Sequence, residues 1–173
     1  VGLIEKIQAT DEELLQKYSR VYFLNENYVP QSLTLLDKAY LWNTEKDQQF
    51  YTKAMPFLES LLQNATSSGI DIKIISSYRS FREQAGLKYS YTVTYGSGAN
   101  KFSADQGYSE HQLGTAVDFT DSETGSTLAK FEKTAAHTWL KDNAYKYGFV
   151  LSYPEGNIYY HFEPWHWRFV GRE

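Results

Sequence analysis

Apolar residues keep helical spacing over one long stretch in the first half of the chain. Phe50, Ala54, Phe57, Leu58, Leu61, Leu62 and Ala65 share a face and Gly69 closes the run, which predicts a helix opening at Thr44. Pro56 lies inside that pattern and is expected to kink or split it, because it has no amide proton to give. Ile70, Ile72 and Ile74 then alternate with Asp71 and Lys73, the signature of a half-buried strand that delivers Ser76-Ser77-Tyr78-Arg79 at its end. Ser80 and Glu83 form a capping box, so a second helix should start at once and run towards Tyr91. A third helix is predicted over Lys130 to Tyr147, where Phe131, Ala135, Trp139, Leu140 and Tyr147 fall broadly on one face before Gly148. Near the start, Thr10-Asp11-Glu12-Glu13 resembles another capping box and predicts a short helix.

Between these helices the pattern shortens. Val21 to Pro30 reads as irregular or extended, and Gly96 to Gly107 has loop chemistry throughout. Ala116-Val117-Asp118-Phe119 reads as a short buried strand, followed by a polar turn from Asp121 to Ser126. Phe149 to Tyr153 and Tyr159 to Glu163 flank the turn-rich Pro154-Glu155-Gly156-Asn157 and predict an antiparallel hairpin, with Trp165 to Val170 completing or flanking the sheet. Helices placed before and between locally pairing strands indicate an α+β fold, a small antiparallel sheet flanked by helices, rather than a doubly wound sheet.

Composition narrows this picture. At 173 residues the chain has the length of one domain with a core that needs no covalent staples. It contains no cysteine, which excludes disulfides, thiolate metal sites and cysteine nucleophiles and fits either a secreted or a cytosolic protein of this size. A net charge of -4 provides no broad basic field, so nucleic acid and anionic membrane surfaces are not expected partners. No apolar run approaches the roughly 20 residues of a spanning helix. The opening Val1-Gly2-Leu3-Ile4 lacks a start methionine and a signal-peptide layout, and is read as the start of a mature or trimmed chain. Fifteen tyrosines and four tryptophans are read as a β-rich core with amphipathic edges, except near the carboxyl-terminal motif, where a stacking surface is expected.

The candidate chemistry lies in two stretches. His111 and Asp118 are seven positions apart, with Gly114 to turn the backbone between them, and Asp118 sits among Ala116, Val117 and Phe119, so its carboxylate needs a partner other than water. Some forty-five residues later come Glu163 and His166. Two imidazoles and one carboxylate form a nitrogen and oxygen set suited to one Zn²⁺ per chain, with a fourth position for water. Glu163 is left as the base for that water, the division of labour that metal-assisted hydrolysis needs. The second imidazole is not fixed by pattern alone: strand alternation would put His161, like Glu163, on one side, making it a rival to His166. Pro164 excludes the helical His-Glu-x-x-His arrangement. His137, inside the third helix, is read as structural.

The run Ser109-x-His111-x-x-Gly114-x-Ala116-x-Asp118 followed by Glu163-Pro164-Trp165-His166 resembles the VanY-type D-alanyl-D-alanine carboxypeptidases, a group that includes LdcB-like L,D-carboxypeptidases. The resemblance runs from about Tyr28 to Gly171 and takes in Ser77-Tyr78-Arg79-Ser80 with Gln84, and Tyr147-Gly148-Phe149-Val150. It implies His111, Asp118 and His166 as zinc ligands and Glu163 as the catalytic base. It also implies that Tyr78-Arg79 supplies the cation facing the substrate carbonyl or terminal carboxylate, a task suited to a planar fork of donors. Gln84 and Ser109 match positions that hydrogen-bond the peptide. Trp165 and Trp167 alternate about His166, so one should wall the pocket, Trp165 being counted with the substrate contacts, while the other packs inward.

The implied protein is a single zinc carboxypeptidase domain, an arm over about 1–27 and a catalytic core over about 28–171, with the zinc at the sheet face. It would act outside the cytoplasm, as a monomer, removing terminal D-alanine from peptidoglycan stem peptides. The alternatives are an L,D-carboxypeptidase acting on tetrapeptide stems, an endopeptidase cutting inside the stem, and a non-catalytic binding module of the hedgehog-domain kind. Retention of Glu163 and Arg79 counts against the last, because a binder needs no base.

Overall fold

The computed structural model describes residues 23–95, 103–156 and 161–171. The capping box at Thr10 and residues 96–102 of the loop expected over Gly96 to Gly107 lie outside the described residues. Strands β1 (Leu33–Leu35) and β2 (Gln49–Tyr51) form a two-stranded antiparallel ribbon. Helix α1 (Met55–Ser67), strand β3 (Lys73–Ser76), helix α2 (Phe81–Tyr95), strand β4 (Ala116–Thr120), helix α3 (Ala135–Asn143), strand β5 (Phe149–Leu151) and strand β6 (His166–Phe169) follow. The last four strands make one antiparallel sheet in the order β3-β4-β6-β5. Among the described residues no helix is long and apolar enough to cross a membrane.

The register of this sheet sorts its residues into two faces. Ile74, Phe119, Val117, Trp167, Phe169 and Phe149 are cross-strand neighbours on one face. They join Phe50, Leu58, Leu61, Leu62, Phe131 and Leu140 in a continuous core, so α1 and α3 cover that side. Asp118 and His166 lie directly opposite each other on the second face. All five residues of β4 are buried. A register shift in β3 between Ile74 and Ser76 sets Ser76 opposite Asp118, and such a bulge re-aims the side chains that follow it.

Several sequence expectations change in detail. The first helix starts at Met55, not Thr44: residues 49–51 pair as β2, and Pro56 occupies the first turn, where its missing N–H has no intrahelical partner to lose. The strand expected over 70–74 is β3 and begins at Lys73, with Ile70 and Ile72 leading into it. The stretch expected as one helix over 130–147 is three pieces. A 3-10 segment (Leu128–Lys133) ends at Thr134, whose extended backbone and hydroxyl cap α3 by accepting from the His137 amide at 3.1 Å, and a second 3-10 segment (Ala144–Tyr147) follows. β5 pairs with β6. Of the stretch expected opposite β5 in a hairpin, residues 159–160 lie outside the described residues, and the Glu163 amide donates to the Tyr153 carbonyl at 3.1 Å. After Pro164 the His166 amide turns back onto the Glu163 carbonyl at 3.1 Å before β6 begins. The capping box at Ser80 forms as expected, with Glu83 accepting from the Ser80 amide at 2.8 Å and Ser80 Oγ accepting from the Glu83 amide at 3.3 Å.

Candidate metal centre

Each residue of the centre is delivered by a different local device. His111 sits in a 3-10 turn, Glu110–Leu113, which ends at Gly114 in the left-handed region with φ 72°. A Cβ at that position would lie 3.0 Å from both Pro30 and Leu33, so glycine is demanded by conformation and by space. The chain then enters β4 and presents Asp118. β6 supplies His166 across the ladder, and the turn before it supplies Glu163. The His111 turn is tied to the end of β3 twice: its Nδ1 lies 2.6 Å from the Ser77 carbonyl, and its own carbonyl accepts from the Arg79 amide at 3.2 Å.

The ligand atoms of His111, Asp118 and His166 all lie within 4.8 Å of one another, and all three residues are buried. Asp118 lies between the imidazoles: Oδ2 is 3.2 Å from His111 Nε2 and Oδ1 is 2.9 Å from His166 Nδ1. Glu163 Oε2 stands 4.0 Å from the same Nδ1, with its side chain 23% exposed. A carbonyl only accepts, so His111 must carry its proton at Nδ1 when neutral, which leaves the bare lone pair of Nε2 facing a carboxylate oxygen. Two acceptors at that distance inside a buried site repel unless a cation or a proton lies between them. Two imidazole nitrogens and one carboxylate, all on buried residues, are a donor set that fits Zn²⁺.

Electrostatics point the same way. Burial opposes ionisation of Asp118, but the two imidazoles outweigh it and hold the carboxyl well below its usual range. Burial pushes His111 down, towards the neutral form a metal requires, although Asp118 pulls the other way. His166 would also be lowered by burial, yet its hydrogen bonds to Asp118 and Glu110 push it up to about 10, so without a metal it holds a second proton. Burial pushes Glu163 up to about 7, against the attraction of His166 and with the repulsion of Asp118 and Glu110. A carboxylate poised there is matched to proton transfer near neutral pH.

These residues open onto a cavity of about 280 Å³. Arg79, Gln84, Ser109, Trp165 and His161 line it together with the metal-site residues, and Tyr91, Tyr108 and Tyr153 give it an aromatic wall. Trp165 faces the cavity, whereas Trp167 is 3% exposed and donates its indole N–H to the Pro164 carbonyl at 3.0 Å. His161 is exposed on the cavity wall and stands outside the cluster of ligand atoms. His137 is buried beside Phe131 and Phe162, away from the centre.

Two expected substrate contacts are placed differently. Tyr78 is not part of the cavity wall, which Arg79 lines: it takes a half-buried position where burial, Glu83 and Tyr28 raise its hydroxyl. Gln84 reaches the wall, but its amide is fully engaged. Oε1 accepts from Arg79 Nη1 at 2.6 Å, and Nε2 donates to Ser103 Oγ at 2.9 Å and to the Ala104 carbonyl at 2.8 Å. Arg79 is held on its other side by Ser76 Oγ at 2.8 Å.

Sequence reasoning missed Glu110 and Lys88. Glu110 is buried against His166 and Arg168; its only sequence signal is its place between Ser109 and His111. Lys88 is one turn beyond Gln84 on α2 and donates to the Ser103 carbonyl at 2.6 Å, which fixes the cavity rim.

A family model described as VanY, D-alanyl-D-alanine carboxypeptidase, matches residues 47–172. The chain belongs to this family. It is 32% identical over 176 residues to the putative carboxypeptidase YodJ of Bacillus subtilis, a match that covers 98% of this chain and 64% of that protein. The chain spans between 40% and 64% of the length of the curated relatives it matches. Among solved structures, the LdcB LD-carboxypeptidase superposes with a TM-score of 0.79 at 34% identity, over 88% of this chain and 74% of that one. The vancomycin-resistance D,D-pentapeptidase VanY in complex with Zn(II) superposes with a TM-score of 0.66 at 28% identity, over 89% of each chain. The VanY-type fold is therefore that of this chain, an α+β domain whose antiparallel sheet carries the His/Asp/His cluster on one face.

Proposed function

We propose that this VanY-family chain is a zinc-dependent carboxypeptidase that removes the C-terminal D-alanine from peptidoglycan stem peptides. The observation that carries the reading is the buried His111–Asp118–His166 cluster with the raised carboxyl of Glu163 beside it, all opening onto one cavity. The family match and the Zn(II)-bound VanY neighbour support it. The substrate places the enzyme outside the cytoplasm, and the core over about 28–171, working as a single chain, carries the activity.

His111 Nε2, Asp118 and His166 Nδ1 would hold the ion. When bound, Zn²⁺ supplies Lewis acidity, polarising the scissile carbonyl and lowering the pKa of a water to about 7. Glu163 takes a proton from the attacking water and returns it to the departing amine of D-alanine. Arg79 faces the same cavity with its guanidinium fixed by Ser76 and Gln84, so its charge is already aimed when negative charge develops on the substrate. Trp165 and the tyrosine wall exclude water around the peptide, and Ser109 offers its hydroxyl from the buried edge of the site. No covalent intermediate with the protein is required.

A second reading, L,D-carboxypeptidase action on tetrapeptide stems, draws support from the LdcB neighbour. Digestion of defined pentapeptide and tetrapeptide stems by the zinc-loaded chain separates the two. Free D-alanine from the pentapeptide is the expected result. Release from the tetrapeptide alone would assign L,D cleavage, longer fragments would assign an endopeptidase, and binding without cleavage would assign a binding module.

A further inference from the structure

Glu110 has a carboxylate with no exposure at all, and both of its oxygens are committed. Oε2 lies 2.9 Å from His166 Nε2, and Oε1 accepts from Arg168 Nη1 at 2.8 Å. A buried carboxylate is retained only where partners offset its desolvation, and here Arg168 balances its charge. The pair therefore presents a strong acceptor to His166 without adding net charge to the centre.

Of the two His166 nitrogens, Nδ1 faces Asp118 and Glu163, whereas Nε2 faces Glu110. An ionised carboxylate only accepts, so the hydrogen bond to Glu110 requires N–H at Nε2. A neutral His166 then has its lone pair at Nδ1, on the side of the cluster. The Ser77 carbonyl does the same for His111 with the opposite nitrogen. Resting on the zinc reading above, we propose that Glu110 is a positioning residue of the metal centre: it holds the His166 ring by Nε2–H and so commits Nδ1 to the ion, with Arg168 as the counter-charge that keeps the carboxylate in place.

The test is zinc affinity, measured by competition with a chelator on the full chain, together with thermal unfolding of the metal-free proteins. Glu110→Gln keeps the shape but offers one acceptor and one NH₂ group. Arg168 claims the acceptor, so the NH₂ group turns to His166 Nε2, which must then accept and carry its proton at Nδ1, where the ion should bind. Zinc affinity should fall about 10–100-fold, the usual effect of losing such a partner. Adding Arg168→Met frees the amide oxygen for His166 and should return affinity to within about tenfold of the parent. A role in packing alone predicts no such recovery. Parent affinity in Glu110→Gln would overturn the inference, and so would a loss that Arg168→Met fails to reverse. If Glu110→Gln does not fold, the double variant decides by the same tenfold limit. A parent chain that binds no zinc would overturn the functional reading itself and the inference with it.

Discussion

Strands β4 and β6 carry two chemistries on alternate residues. On one face Val117, Phe119, Trp167 and Phe169 join a continuous apolar core. On the other, Asp118 and His166 stand opposite each other with His111, Glu110 and Glu163 around them. The apolar face stabilises by area, without direction, so many side chains of similar volume would serve. The polar face works by direction: both nitrogens of His111 and of His166 face a named oxygen at 2.6–3.2 Å. Free energy gained on the first face offsets the cost of burying charge on the second. The two faces should therefore fail in different ways, one in stability and the other in chemistry.

The largest effect expected is on the polar face. Glu163→Gln should lower turnover by about 10²–10⁴-fold while zinc content and folding stay as in the parent. Turnover in the parent should fall as pH falls through the Glu163 value, because the base is the ionised form. That value is about 7 without a metal, and a bound cation favours the carboxylate and moves the limb lower. The acid limb assigned to Glu163 should vanish in the variant. Turnover at the parent rate would break the assignment of Glu163 as base.

Phe149→Ala tests the other face. Phe149 is fully buried, with its ring centroid 6.2 Å from that of Phe50 and 5.4 Å from that of Phe169. The substitution should cost about 3–5 kcal/mol in urea unfolding and leave stoichiometric zinc in the folded fraction. Loss of zinc from a chain that is still folded would show that the faces are not separable.

A smaller effect is expected from Arg79, which lies on the polar side but outside the ligand cluster. Arg79→Met should reduce turnover by about 10²–10³-fold and leave zinc affinity unchanged. A zinc loss as large as the rate loss would move Arg79 from substrate recognition to support of the His111 turn, which its backbone already holds at 3.2 Å.

Much of this organisation was legible in the sequence. The α+β class, the buried strand over 116–119 and the capping box at Ser80 all follow from periodicities that local chemistry writes into neighbouring residues. The sequence also named His111, Asp118 and Glu163 and, through the family resemblance that chose between His161 and His166, the second imidazole; the fold brings all four to one cavity. Other features were decided only by tertiary structure. The partner of β5 depended on where the chain pairs again after Pro164, and the break at Thr134 on a side-chain cap that competes with continued helix. Tyr78 and Arg79 are adjacent, yet only Arg79 reaches the cavity. Glu110 makes the same point most sharply: it neighbours His111 in sequence but serves His166, 56 positions away. A sequence pattern reports which residues must be buried; the partner that satisfies a buried charge is set by the strands that cross beside it.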